Sequence, residues 1–293
     1  MLWPRNLNKN IRTKVKLAGL TTFKVGGAAR FFFEAKNVKQ LQEMLIFAKR
    51  AGISVFILGA GSNILVSDSG LDGLVIKLSG ELFKRVHKEG VCLEVGGALK
   101  LNQLILYAKN NGLSGLEFLA GIPGTLGGAL AGNAGAWGKS IGSQVKEVAV
   151  LDYCGKAKMF STKSLKFSYR KSNLNKYIII SCRLKLCKAD KDTIGLKIRE
   201  YLLRRNKTQG DNLPSAGCIF KNPGSNTAGR LIDACGLKGT SKGGAFISKA
   251  HANFILNKGQ AGSKDILFLM DLIQKKVRER FKVDLEPEIK IWR

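Results

Sequence analysis

Histidine is almost missing from this chain of 293 residues, which has only His87 and His251, and none of its six cysteines (Cys92, Cys154, Cys182, Cys187, Cys218, Cys235) stands in a CxxC pair. The usual ligand spacings of a structural zinc site are therefore excluded and no metal is expected. Nothing in the spacing suggests a disulfide framework either. Long apolar runs are lacking too, since no stretch approaches the ~20 residues that cross a bilayer. The amino-terminal "MLWPRNLNKNIRTKVKLAGL" carries charge but no apolar signal-peptide core, so a cytoplasmic protein without a membrane partner is expected. Acidic residues are scarce, 21 Asp+Glu against 49 Lys+Arg, for a formal charge of +28. That balance favours anions: nucleic acid, anionic lipid or phosphorylated small molecules. The basic residues are spread along nearly every segment and gather in no stripe or tail, so nucleic acid is not expected as a partner.

What is abundant is glycine, 34 residues of 293, in two clusters: "LGAGSNILVSDSGLDG" (58–73) and "GLSGLEFLAGIPGTLGGALAGNAGAWG" (112–138). Before the first, Asn37 is placed to cap a helix that turns Leu41, Met44, Leu45 and Ala48 to one side and stops at Gly52. "SVFIL" (54–58) then reads as a short strand leading into the glycines. A second amphipathic helix, with Leu101, Leu104, Ile105 and Ala108 inward, ends at Gly112. Strands "VAVLDY" and "YIIISCRLKLC" follow, then a helix with Ile194, Ile198, Tyr201 and Leu202 inward. The polar run "RRNKTQGDNLPSAG" (204–217) marks a boundary. Beyond it lie a helix in "TAGRLIDACG", strands "GAFIS" and "NFILN", a helix from Ser263 with Ile266, Met270, Ile273 and Val277 inward, and an extended "KVDLEPEIKIW".

Each motif, taken alone, has a plain structural alternative. Glycine turns leave backbone N–H groups open to a pyrophosphate, yet tight turns in a strand-rich fold use the same residues. The first cluster lacks the third glycine and the later acidic residue of a dinucleotide fingerprint, and neither cluster is followed by GKS or GKT. Arg170 in "FSYRKS" can clamp a carboxylate or sit in solvent. Glu288 in "LEPEIKIW" faces either a cleft or water. Cys218 in "PSAGCIFKNP" is a buried thiol, or the nucleophile of a Cys–His pair with His251 that no spacing supports.

In order along the chain, "TTFKVGGAA" (21–29), "LGAGSNILVSDSGLDGLVI" (58–76), "GLEFLAGIPGTLGGALAGNAGAWG" (115–138), "FSYRKS", "PSAGCIFKNP", "AGRLIDACGLKG" (228–239), "GGAFISKAHANFILN" (243–257) and "LEPEIKI" (285–291) together resemble the bacterial UDP-N-acetylenolpyruvoylglucosamine reductases. The short length resembles the compact second type. The resemblance implies an α+β protein with a two-part FAD-binding domain of the vanillyl-alcohol oxidase type over 1–205 (subdomains about 1–80 and 81–205). A smaller α+β substrate-binding domain over 206–282 and a carboxy-terminal strand over 283–293 that returns to the active site complete it. It implies FAD contacts at Gly59, Ala60, Gly61, Ser62, Asn63, Gly121, Ile122, Pro123, Gly124, Gly127, Gly128, Asn133, Gly135 and Ala136. Arg170, Cys218 and Glu288 match the catalytic positions, and Tyr169, Asn222, Lys238, His251 and Lys290 match substrate contacts.

The implied reaction takes hydride from NADPH through the flavin to the enolpyruvyl group of UDP-N-acetylglucosamine enolpyruvate, in a monomeric enzyme of peptidoglycan synthesis. Arg170 and Glu288 would stabilise the enol anion, and Cys218 would give the proton. The commoner family pattern has serine at position 218; a thiol, with an ordinary pKa of about 8.5, is an adequate acid for the same step. Two alternatives stand beside this one: another FAD-dependent oxidoreductase of the same fold, and a basic binding protein that has lost the flavin.

Overall fold

A computed structural model describes residues 3–4, 7–209, 213–224 and 226–293. Contacts divide the chain into two compact units, neither of them continuous in sequence. The first comprises 1–13, 31–60 and 73–205; the second comprises 14–30, 61–72 and 206–293. The break at 205/206 falls inside the polar run that marks a boundary in the sequence. By contrast, the assignment of 14–30 and 61–72 to the second unit differs from the amino-terminal subdomain expected over 1–80. The physical reason is packing: Phe23, Val25 and Leu65, all at most 3% exposed, belong to the same apolar core as Ile219, Ile247, Ile266 and Ile289.

In the first unit, helix α1 (Val38–Arg50) starts where Asn37 Oδ1 accepts from Gln40 N at 2.9 Å, and it buries the four residues its periodicity selects. They pack against the parallel strands Val55–Leu58 and Leu71–Leu78, paired from Val55 with Leu74 to Leu58 with Lys77. A second layer is an antiparallel five-stranded sheet in the order Ala157–Ser161, Val145–Leu151, Ile178–Lys185, Cys92–Gly96, Val86–Glu89. Helix α2 (Leu101–Asn110) and the short helix α3 (Leu126–Ala131) cover it, adding Leu101, Leu104, Leu126 and Leu130 to one core. Helix α4 (Lys191–Gln209) buries Ile194, with Ile198 and Tyr201 half-buried against that core. Leu202, expected inward, lies on the exposed side at 37%, because residue 202 falls past the width of the stripe set by 194, 198 and 201.

The second unit is built on helix α6 (Ser263–Phe281), which buries Ile266, Leu269, Met270, Ile273 and Val277 against the three-stranded sheet Ser241–Lys242, Ala245–Ile247, Ile255–Asn257 and helix α5 (Ala228–Ala234). Its first turn is tied to the 61–72 segment: Ser263 N donates to Asp68 Oδ2 at 2.7 Å and Asp68 N donates to Ser263 Oγ at 2.9 Å. The carboxy-terminal strand Lys290–Trp292 pairs in parallel with Ile64–Val66.

Among the described residues no helix is long and apolar enough to cross a membrane. None of the six cysteines, all among the described residues, is in a disulfide. Replacing the α1 cap, Asn37→Ala, should lower unfolding stability by about 1 kcal/mol, read as a shift of the urea midpoint with unchanged slope.

Candidate active site

The first glycine turn follows the strand Val55–Leu58. Gly61 has φ +66°, and a Cβ there would lie 2.2 Å from Leu20 O, so only glycine allows this close approach. Among the described residues no protein acceptor takes the N–H of Ala60, Gly61, Ser62 or Asn63. Ala60, Ser62 and Asn63 are at least partly exposed, so their amides are available to an anionic or carbonyl-bearing ligand, while Gly61 is buried.

The second cluster divides its labour differently. The first amides of α3 are already used: Leu126 N donates to Leu99 O, Gly127 N to Gly97 O, and Gly128 N to the cap Thr125 Oγ1. A Cβ on Gly127 would stand 3.0 Å from Gly97 O, so this glycine is needed for backbone packing. Gly128 instead faces open space beyond its own cap. Gly121 has φ +76°, and a Cβ there would lie 2.7 Å from Arg205 Cδ; the loop Gly121, Ile122, Pro123, Gly124 is therefore shaped by α4. Asn133, buried and left-handed at φ +45°, donates from Nδ2 to Ser168 O at 2.9 Å and accepts Gly142 N on Oδ1 at 3.1 Å. Its carboxamide thereby laces the arginine hairpin to the glycine cluster.

That hairpin pairs Phe167–Ser168 with Lys171–Ser172, leaving Tyr169 and Arg170 as its two-residue tip. Arg170 has φ +53°, a conformation that costs a non-glycine residue on the order of 1 kcal/mol. Its Nη1 donates to Gly135 O at 3.1 Å, next to Ala136, and its guanidinium lies 5.7 Å from the exposed Tyr169 ring. The arginine is half-buried on a strained backbone, and Gly135 O holds its guanidinium.

In the second unit, Cys218 and Glu288 lie on neighbouring extended segments. Glu288 N donates to Ile219 O at 2.7 Å, Lys221 N to Glu286 O at 2.9 Å, and Phe220 bridges Pro287. Pro287, with no N–H to give, stands where none is required. Cys218 bridges Phe254 on the other edge and is half-buried, so the fully buried thiol suggested by composition is not found here. It is found at Cys182, in the core of the first unit, where burial pushes the thiol well above its ordinary range. Asn63, the last residue of the first glycine turn, donates from Nδ2 to Glu288 O at 3.1 Å and accepts Lys290 N at 3.0 Å. Asn63, Glu288 and Cys218 therefore share one hydrogen-bonded array.

Beside this array, His251 has Nδ1 accepting Asn253 N at 3.3 Å, which makes Nε2 the protonated nitrogen of the neutral ring. Burial lowers its pKa, opposed by its own backbone hydrogen bond and reinforced by the Lys238 charge. Lys238 pairs with Asp233 at 2.7 Å. Asn222 Oδ1 accepts Ala228 N at 3.0 Å, holding the start of α5. Lys290 is exposed at the start of its strand.

Residues 208–292 match the carboxy-terminal domain of UDP-N-acetylenolpyruvoylglucosamine reductases, and residues 29–161 match an FAD-binding domain family. The chain is 40% identical over 284 residues to UDP-N-acetylenolpyruvoylglucosamine reductase 2 of Symbiobacterium thermophilum, covering 96% of this chain and 92% of that protein. The chain belongs to the UDP-N-acetylenolpyruvoylglucosamine reductase family. A second relative, from Synechococcus, is 41% identical over 97% of this chain and 92% of its own length. The crystal structure of the reductase from Thermus caldophilus superposes with a TM-score of 0.84 at 37% identity, covering 97% of this chain and 100% of that one. A cholesterol oxidase mutant of Brevibacterium sterolicum shares the fold alone, with a TM-score of 0.50 and 13% identity over 64% of this chain and 40% of its own.

The family's enzymes are FAD oxidoreductases, and the run of amides without a protein acceptor at 60–63 fits a phosphate-bearing cofactor. Among the described residues no three His, Cys, Asp or Glu side chains gather to hold a metal ion.

Because His251 is harder to protonate folded than unfolded, the unfolded chain takes the proton first as pH falls below the ordinary imidazole value of 6.5. Stability present above that value is lost on the acid side. From about pH 7 to about pH 5, wild-type melting temperatures should therefore fall more steeply than those of His251→Gln, as measured by scanning calorimetry.

Proposed function

We propose that the protein reduces UDP-N-acetylglucosamine enolpyruvate to UDP-N-acetylmuramate with NADPH as reductant. It would act as a cytoplasmic monomer in peptidoglycan precursor synthesis, with residues 206–282 holding the nucleotide sugar and 283–293 returning Glu288 to the reacting centre. What carries the reading is the array in which Cys218 and Glu288 sit on adjoining segments, tied to the end of the cofactor turn through Asn63. FAD, when bound, supplies the hydride that adds to the terminal methylene of the enol ether.

The side chains then have separate tasks. Arg170, fixed by its left-handed backbone and by Gly135 O, presents a planar fork to the substrate carboxylate, where negative charge accumulates as the enol ether is reduced. Glu288 lies beside that charge and orients the group that bears it. Cys218 Sγ gives its proton to the carbon next to the carboxylate, restoring a saturated centre, and regains a proton from solvent. Proton delivery by a positioned acid is worth roughly 10²–10⁴-fold. Asn222, Lys238, His251 and Lys290, and Tyr169 of the first unit, are the residues we assign to contacts with the nucleotide sugar, with His251 offering the Nε2–H fixed by its ring hydrogen bond.

Purified protein should be yellow, bleach on adding NADPH, and regain colour with the enolpyruvyl nucleotide; colourless protein that retards nucleic acid would sink the reading. In stopped-flow absorbance, Cys218→Ala should leave bleaching near normal and slow recolouring by about 10²-fold or more, whereas Cys218→Ser retains substantial turnover. Equal losses in both half-reactions would remove the donor role. Arg170→Lys should lose at least about 10²-fold in kcat because a point charge does not reproduce the fork, and normal turnover there would exclude anion stabilisation by Arg170.

A further inference from the structure

In a regular extended strand, the N–H and C=O of one residue face the same edge and those of the next face the opposite edge. Residues 218–221 depart from this at Ile219. Its C=O accepts Glu288 N at 2.7 Å, but its N–H donates to Asn253 O at 2.9 Å on the other side. Phe220 then donates its N–H to Asn253 Oδ1 at 3.0 Å and accepts Asn253 Nδ2 on its C=O at 2.8 Å. Two successive amides converge on one residue, as in a bulge, and bulges redirect the side chains beside them. The side chain immediately before this bend is Cys218.

No ordinary partner strand could provide these bonds, because the chain at 251–254 is turning: Phe254 N donates to His251 O at 2.9 Å, and Asn253 N to His251 Nδ1 at 3.3 Å. The Asn253 carboxamide stands in for the absent peptide group, offering one acceptor and one donor in a plane. Asn253 is 2% exposed and Phe220 1% exposed, so neither water nor another side chain replaces it. We infer that Asn253 is the positioning residue of the proton donor, holding the bend at Ile219 that aims Cys218 at the substrate. This rests on the reading of Cys218 as donor. Without the carboxamide, Phe220 keeps a buried N–H and C=O with no partner, the bend relaxes and the thiol turns away.

Two variants test this on the flavin-loaded enzyme. Asn253→Asp keeps the acceptor and the shape but sets an oxygen against Phe220 O in place of the donor; Asn253→Ser serves where the aspartate variant fails to fold. Flavin content and a melting curve establish that the variant is intact. Bleaching by NADPH should stay within about twofold, while recolouring by the enolpyruvyl nucleotide slows by about 100-fold, the loss expected when a reacting group is displaced by about 1 Å. Proton transfer then limits that step, so its solvent deuterium isotope effect should rise. In Asn253→Asp the rate should recover as pH is lowered, because protonating the introduced carboxylate restores a donor to Phe220 O; wild type lacks this recovery. A purely structural residue would slow both half-reactions together and leave the isotope effect unmoved, and that outcome overturns the inference. Cys218→Ala run alongside separates the two claims. Normal recolouring in that variant removes the donor assignment itself, whereas slow recolouring there beside normal recolouring in the folded Asn253 variant removes only the positioning role.

Discussion

Residues 218–221 are gripped on both edges, by Asn253 on one and by the backbone of Glu286 and Glu288 on the other, and the chemistry open to the carboxy-terminal unit follows from that grip. A thiol on a free loop samples many directions; on a segment with each edge bonded it has few. The same bonds bring Glu288 beside the cysteine, and Asn63 extends the array to the first glycine turn. Glycine turn, carboxylate and thiol are thus placed by main-chain and carboxamide hydrogen bonds, with side-chain packing of Phe220 and Ile219 beneath them. Main-chain placement is stiff, because moving any one of these residues breaks bonds shared with the others.

The first unit uses strain where the second uses pairing. Arg170 and Asn133 both adopt left-handed backbone that glycine would take at no steric cost. Trp137 does so as well, with Gly138 at the tip of the hairpin Gly135–Ala136 and Lys139–Ser140, a turn in which both central residues require positive φ. Tyr201 stacks on the Trp137 indole at 6.5 Å, and Gly135 O receives Arg170. An arginine at such a position carries a local conformational cost and in return holds its guanidinium in one place.

Regular periodicity made much of the fold legible in the sequence. The buried residues of α1 and α2 are those chosen by 3.6-residue spacing, α6 buries the four chosen ones and Leu269 and Ser263 besides, and Asn37 and Gly52 mark the ends of α1 as cap chemistry requires. Leu202 was misplaced because a stripe read from four residues is wider than the contact α4 makes. Cys218 and Glu288 could be singled out only through family resemblance, since their pairing is made across a sequence gap by backbone groups that carry no residue signature. The packing role of Gly127 and the lacing role of Asn133 are illegible for the same reason: each depends on which backbone lies opposite. Asn253 left one faint signal, a polar carboxamide directly before the apolar run Phe254, Ile255, Leu256. A buried amide with no evident turn to make has a specific pair of backbone groups to satisfy.

The discontinuous second unit has a consequence for synthesis on the ribosome. Phe23, Val25 and Leu65 are made early, yet the groups they pack against come from residues 216–289, and Asn257 Nδ2 reaches back 234 positions to Phe23 O. At roughly 5–20 residues per second, those apolar side chains wait many seconds after emerging, while the amino-terminal helix and its parallel strands have their partners far sooner. Nascent chains of this protein therefore carry a sticky, half-built interface until the last helix leaves the exit tunnel, a natural hold point for a chaperone.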